Sequence, residues 1–466
     1  GKETKVRLSQ AWPADRQPPA WSSLLSIASG KGLLAAATSE SVILVSTETV
    51  QKAYWEVDTS ANKIKDITPQ LSLPVPQVSH VAFSADESSL AFAAQEGGGL
   101  AVYDVQALLQ GNKESAFQIS TNGISVRALE PNPSPENAHL FAVVLTDGKL
   151  MIADFKQRQL VNTSNGAVFR EGVRCVSWSV RGKQLVVGLE DGSAEQYDPQ
   201  GNVKAQIPRP PQLEQPTPMS SIVWIANDDF LVIHTPNSED EAASSTYHML
   251  HREKSSGSFT SQLIVGDPCI PGFDTKRFPA HFLISRLRKF PPHLEDVLIL
   301  SSSAGTEAGI ITNSSAPLAK DAVYNVYTVT NMDADASRAT LPMSVMDGMS
   351  ETAPVGMALD LSSTDPVLEP IASDKEVRES PGPVPALMIL NNEGVLSAWW
   401  FIYNDSIRQG TSYPGLTSIA SAQNATPSTT QPATSIPTSS APAATGFAAF
   451  GKSSFGQPAQ PSFGQA

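Results

Sequence analysis

Short runs of β-branched and aliphatic residues, split by turn signals and grouped into seven clusters, constrain this chain more than any other feature. Helical periodicity is scarce along the same stretch, so the ordered part is expected to be all-β. The first four clusters are Leu33–Thr38 with Ser41–Ser46; Val81–Ser84, Leu90–Ala94 and Leu100–Asp104; Leu140–Leu145 with Leu150–Phe155; and Val176–Ser179, Leu185–Leu189 and Ala194–Asp198. The looser later three are Ile222–Ile225 with Phe230–Thr235; Val297–Ser301, Gly309–Thr312 and Val323–Val329; and Gly356–Leu361, Ala386–Leu390 and Val395–Ile402. The second and fourth align internally: Val81-Ala-Phe-Ser84 matches Val176-Ser-Trp-Ser179, and Tyr103-Asp104 matches Tyr197-Asp198. The turns Asp147-Gly148 and Asp191-Gly192 lie 44 residues apart, close to the length of a four-stranded propeller blade. A blade cannot cover its own apolar faces, so blades stack around an axis and close a ring.

The predicted fold is therefore one seven-bladed β-propeller over residues 1–403, with a two-sheet β-sandwich pair as the competing architecture. Residues near Thr4–Leu8 are the expected closing strand. Seven blades over some 400 residues leave long inter-strand loops, near 199–218, 236–246, 252–281, 313–352 and 361–383. Function on such a scaffold is expected in loops, because the strands are occupied in holding the ring. The Gly-His and Trp-Asp pairs of WD repeats are missing.

Charge narrows the partner classes. The formal net charge is −14, and the region 404–466 holds only Asp405, Arg408 and Lys452, so the first 403 residues carry −15. An acidic fold repels phosphate backbones, which disfavours direct DNA or RNA binding and favours a basic protein partner. Cys175 and Cys269 are the two cysteines, too few and too far apart for a disulfide framework or a metal site. No apolar run approaches the ~18 residues of a membrane-spanning helix, and no basic-then-apolar leader opens the sequence.

No motif points to catalysis. Gly446-Phe-Ala-Ala-Phe-Gly-Lys-Ser453 matches the phosphate-loop pattern letter for letter, but that mechanism needs a strand before it and a helix after it. It lies instead among Ser, Thr, Pro, Ala and Gln, so the match is coincidental. His80 and His234 sit on expected strands and are read as hydrogen-bonded structural groups. Neither an enzyme nor a cofactor is expected.

Two charged loops remain. Lys276, Arg277, Arg286, Arg288 and Lys289 form a basic stretch beside Phe278, Phe282 and Phe290, expected as a solvated connector or, alternatively, an RNA contact. Asp333 to Glu379 holds ten acids against three basic residues. Within it Leu341, Met343, Val345 and Met346 are apolar without a strand or helix to bury them. Apolar anchors with an acidic rim form the pattern of a recognition loop.

The region 404–466 is expected to be a disordered linker, having too little apolar surface to offset about 1–2 kcal/mol of ordering entropy per residue. It presents Phe450-Gly451, Phe455-Gly456 and Phe463-Gly464. These pairs resemble the phenylalanine-glycine repeats of nucleoporins, where single rings make weak, repeated contacts. Ser337-Arg-Ala-Thr-Leu-Pro-Met343, Ala353-Pro-Val-Gly-Met-Ala-Leu-Asp360 and Pro385-Ala-Leu-Met-Ile-Leu-Asn-Asn-Glu-Gly-Val-Leu396 resemble the matching run of the cytoplasmic-face Phe-Gly nucleoporins. In that family an N-terminal propeller docks the DEAD-box helicase of mRNA export.

The resemblance implies a nuclear pore component at the cytoplasmic face of the nuclear envelope. It implies helicase contact through Arg338, Leu341, Pro342, Met343, Val345, Asp347 and Glu351, in competition with RNA. It also implies transport-receptor contact through Phe450, Phe455 and Phe463, and contact with other cytoplasmic-face nucleoporins through regions this sequence lacks. The alternatives are a general peptide-binding propeller adaptor, or a propeller touching RNA through its basic loop.

Overall fold

The computed structural model describes residues 5–55, 64–238, 243–274, 277–332 and 335–417. Within them the strands form seven sheets, antiparallel except for one added edge strand, set radially around one channel, a seven-bladed β-propeller. The innermost strands of blades 1 to 7 are Leu25–Ala28, Val78–Phe83, Val126–Pro131, Val173–Trp178, Met219–Ala226, Phe282–Phe290 and Pro354–Asp360. The expected ring replaces the sandwich because the large apolar clusters among the described residues are shared by neighbouring blades. Phe141 and Val143 pack with Leu100 and Val102 across blades 2 and 3, and Trp224 and Phe230 pack with Val186 across blades 4 and 5.

Closure comes from the chain's two ends. Lys5–Arg7 adds to blade 7 beside Val395–Trp400, with Val6 opposite Leu396 and Arg7 opposite Val395. This is the strand expected at Thr4–Leu8, of which Thr4 lies outside the described residues. Val6 is fully buried. The Leu8 N–H bonds the Gly394 carbonyl at 2.8 Å. Gly394 has φ +74°, and a Cβ there would lie 2.3 Å from the Ser9 carbonyl oxygen. Only glycine tolerates both demands.

An insertion from blade 1 fastens the seam. The helix Thr47–Trp55 lies over blade 7, with Gln51 Nε2 bonding Asp360 Oδ2 at 2.8 Å and the Tyr54 hydroxyl donating to the Leu396 carbonyl. After it, Ile64–Asp66 pairs parallel with Lys5–Arg7 as a fifth strand.

The internal sequence matches have structural counterparts. Ser84 and Ser179 follow the innermost strands of blades 2 and 4, and each hydroxyl accepts a backbone N–H across the turn, from Ser89 and Gln184. Asp104 and Asp198 cap the turns after the third strands. Gly148 and Gly192 share φ +87° at equivalent hairpins. His80 and His234 are buried, with ring Nε2 bonded to the carbonyls of Arg127 and Gly192.

Two expectations need correction. The basic stretch is not a solvated connector: Phe282–Phe290 is the innermost strand of blade 6. Arg286 reaches Asp296 with two bonds of 2.6 and 2.7 Å, and pairing lets a charge sit inside the ring. The boundary at 403 also falls too early. Asn404–Arg408 is a helix, Ile407 packs with Ile371 and Val384, and the Tyr413 ring packs at a tilt against Phe290 with 5.1 Å between ring centroids. The Phe-Gly pairs and the phosphate-loop look-alike lie outside the described residues.

If the short terminal strand holds the ring shut, removing residues 1–8 should lower unfolding stability by at least about 2 kcal/mol, roughly the burial of Val6 alone. Gly394→Ala should act in the same direction. Urea unfolding that leaves the midpoint unchanged in both variants would refute this account of closure.

Candidate partner-binding surface

Strand direction alternates within each blade, so second-to-third-strand hairpins and blade-to-blade crossovers emerge on one face, here called the upper face. The crossover from blade 6 to blade 7 is the segment that the sequence marks as a recognition loop. Backbone bonds lay it along the 304–307 hairpin of blade 6: Ala308 N–H to Ala339 O at 2.9 Å and Leu341 N–H to Thr306 O at 2.8 Å. Leu341 is 5% exposed and packs with Met357, Leu387 and Ile389. Sequence analysis offered it as a partner contact, but its side chain belongs to the ring's own core. Arg338 is likewise engaged, within 3.5 Å of Glu307 and 3.3 Å of Asp335.

Beyond Leu341 the loop is pinned again. Pro342 accepts the Thr352 hydroxyl at 2.9 Å. Glu393, in the neighbouring blade 7 hairpin, accepts the Ser344 hydroxyl and the Val345 N–H, the latter at 2.7 Å. Ser344 is buried and Val345 half-buried. Between these anchors the chain closes on itself, with Ser344 N–H to Ser350 O at 2.7 Å and Gly348 N–H to Ser344 O at 2.9 Å.

Asp347 shapes the tip. Its carboxylate accepts N–H groups of Met349 and Ser350 at 2.8 and 2.9 Å, together with the Ser350 hydroxyl. Those bonds favour the charged form and hold its pKa down at about 2, the Ser350 hydroxyl contributing most. A depressed carboxylate pKa means the bonds favour the folded loop fully above 3.8 and lose that contribution as pH falls through about 2.

This scaffold turns methionines outward. Met346 and Met349 are each 78% exposed and Met343 is 44% exposed. An adjoining crossover, from blade 5 to blade 6, adds Phe273 at 93% and Ile270 at 63%. The two crossovers meet where Glu351 Oε2 accepts the Asp274 N–H at 2.9 Å, and Gly272 N–H ties the blade 5 to blade 6 crossover to Ala304 O of the blade 6 hairpin at 2.9 Å. Sequence reasoning missed Phe273, Ile270 and Met349. The available signal was an aromatic in Pro271-Gly-Phe-Asp274, where no strand or helix pattern offers it burial.

Exposed thioethers and one aromatic ring, set among Asp347, Glu351 and Asp274, suit a basic partner surface with apolar hollows. Methionine adapts its shape to such hollows, and carboxylates steer the approach. The five basic residues read together in the sequence do not form one patch. Lys276 is outside the described residues, Arg277 bonds the Pro18 carbonyl, Arg286 is paired inside, Arg288 is exposed on the blade 6 strand, and Lys289 pairs with Glu295. Phe450, Phe455 and Phe463 lie outside the described residues.

Known proteins resemble this chain along most of its length. The NUP159/214 beta propeller family model matches residues 18–396. Nucleoporin NUP159 of Chaetomium thermophilum is 45% identical over 435 residues, covering 91% of this chain and 29% of that protein. Human nuclear pore complex protein Nup214 is 25% identical over 85% of this chain and 18% of its own length. This chain therefore spans under a third of the length of these relatives. The crystal structure of the N-terminal domain of Nup159 superposes with a TM-score of 0.61 at 18% identity, covering 85% of this chain and 94% of that one. A Saccharomyces cerevisiae assembly of Dbp5 bound to Nup159, Gle1, IP6 and ADP matches with the same score, identity and coverage.

Two expectations separate anchors from exposed groups. Leu341→Ala should cost about 2–5 kcal/mol of folding stability, while Met346→Ala and Met349→Ala should stay within about 0.5 kcal/mol. Denaturant titration decides, and an inert Leu341 variant would contradict the packing. By carboxyl NMR, Asp347 should titrate near 2, moving toward 3.8 in Ser350→Ala. An unshifted midpoint would remove Ser350 as the cause.

Proposed function

This chain belongs to the NUP159/214 β-propeller family of nucleoporins, and from that premise we propose that the ring is a docking platform, not an enzyme. On this reading it sits at the cytoplasmic face of the nuclear pore and binds a DEAD-box helicase of mRNA export. The observation that carries the reading is the rigidly held tip with Met343, Met346 and Met349 outward beside Asp347 and Glu351. The assembly of the relative Nup159 with Dbp5 supports the class of partner.

The docking chemistry follows from the surface. A helicase domain that grips RNA presents basic side chains, and the acidic rim attracts them across solvent. The methionines and Phe273 then fill apolar hollows, where most binding energy concentrates in a few anchors. Asp347 has a double role, because its carboxylate both builds the tip and lends it charge. Docking on the RNA-gripping surface would make helicase binding to this ring and to RNA mutually exclusive. Of the residues offered from the sequence, Met343, Val345, Asp347 and Glu351 remain on the proposed interface, with Pro342 beside them. Leu341 and Arg338 hold the loop. Phe450, Phe455 and Phe463 are proposed as transport-receptor contacts. Joining other nucleoporins of the cytoplasmic face would fall to regions outside this sequence.

Calorimetry with the purified helicase tests the proposal. Met346→Ala combined with Met349→Ala should weaken binding about thirtyfold or more, as expected for anchors worth at least about 1 kcal/mol each. Glu351→Lys should slow association and lessen its sensitivity to salt. Single-stranded RNA should displace the helicase from the ring. Unchanged affinity in the methionine variant, with its fold intact, would exclude this loop from the interface.

A further inference from the structure

We propose that the upper mouth of the central channel is a binding site for a small phosphate compound, gripped by Arg127 and Arg174, with Arg277 behind them. Nothing in this proposal depends on helicase docking. The three arginines lie far apart in sequence, yet three upper-face crossovers bring them together where the innermost strands begin. Arg127 Nε lies 3.3 Å from the Arg174 carbonyl oxygen, and its Nη2 lies 3.4 Å from His281 Nε2. The Arg277 backbone is joined to the same group through Ser303, whose hydroxyl donates to the Arg277 carbonyl at 3.2 Å and accepts the His281 N–H at 2.9 Å, while the Arg277 guanidinium donates to the Pro18 carbonyl. Trp21 completes the cluster, its ring 5.7 Å from the Arg127 guanidinium and 6.0 Å from the His281 ring.

Three carboxylates border this cluster, and the nearest two are shared or solvated: Asp147, in the hollow beside Arg127 and Arg174, pairs with Lys149 at 2.9 Å. Glu190 pairs with Arg174 at 3.2 Å from an exposed position. Glu130 also lines the channel, but three residues along the blade 3 strand place it roughly 10 Å further toward the lower face. Enclosure by the ring lifts its carboxyl to about 7, which leaves it a weak counterion at neutral pH. Arg174 Nε and Arg277 Nη1 are enclosed and have no hydrogen-bond partner among the described residues. Buried charged donors left unpaired are costly, and in native proteins they commonly mark a bound ion or water. Burial, with added repulsion from Arg174, brings Arg127 down to about 10, and His281 falls to about 3 through burial and the field of all three arginines. The two rings offer no counter-charge.

The chemistry selects an oxyanion. Guanidinium groups match phosphate oxygens two at a time and remain charged when desolvated. The channel cavity has a volume of about 370 Å³ and is lined by strands of all seven blades, a size that small ligands fill. A compact phosphate fits this enclosure better than a polymer. Its source would be free pyrophosphate or a phosphate ester of a small organic molecule.

Titration calorimetry of the full chain with pyrophosphate and, separately, glycerol 3-phosphate, at constant ionic strength, tests the site. Saturable one-to-one binding of either supports it, and the tighter ligand identifies the source. Arg127→Gln combined with Arg174→Gln should weaken binding at least tenfold, Arg127→Lys less, and Met346→Ala not at all. Circular dichroism verifies that the variants fold. Absence of saturable binding to the unmodified chain overturns the proposal whatever the variants do. So does binding that the double variant retains, or binding of single-stranded RNA without response to either phosphate.

Discussion

Three residues at one end of the chain hydrogen-bond to a strand almost four hundred residues later, and the rest of the architecture depends on that pairing. Val6 opposite Leu396 supplies the outer part of blade 7. Without it blade 7 would expose an edge, and edges invite aggregation. The blade 1 insertion covers the junction with the helix Thr47–Trp55 and the parallel strand Ile64–Asp66. Gly394 lets the terminal strand approach closely enough to bond. Because the apolar clusters at the seam are shared between neighbouring blades, a fault there weakens burial on both sides of it. This coupling explains why a short strand with a single fully buried valine carries so much consequence.

A closed ring is a stiff base for loops, and the blade 6 to blade 7 crossover exploits that stiffness. Leu341 anchors one side in the core, and Glu393 clamps Ser344 and Val345 from the next blade. Asp347 then bends the intervening residues into a tight tip. Ordering entropy is spent on folding the loop, so little remains to be lost when a partner arrives. Flexible methionine side chains on a rigid backbone combine adaptability with fixed position.

Charge is arranged in opposition on the upper face. Acidic residues ring the exposed methionine tip, while arginines converge on the channel mouth. An overall acidic protein can therefore attract a basic surface at its rim and an oxyanion at its axis. The two fields have different surroundings: the rim is solvated and screened by salt, whereas the mouth is enclosed and screened far less.

Residue periodicity by itself marked out seven β units and made a closed ring the leading architecture over a sandwich pair, because alternation along a strand and Asp-Gly turns are local signals. The closing strand was legible for a topological reason: an odd segment of strand at the start has no blade of its own. The acidic loop with its apolar residues and the Phe-Gly pairs were also legible as sequence features, since charge and composition need no coordinates. Tertiary structure decided the rest. Leu341 and Met346 look alike in the sequence, yet one is core and the other surface, because burial in a loop depends on which distant hairpin lies beneath it. Phe282–Phe290 was hidden by its charges, since the partner that neutralises Arg286, Asp296, is revealed only by strand pairing. The convergence of Arg127, Arg174 and Arg277 was likewise invisible, because crossovers of three blades meet only once the ring has closed.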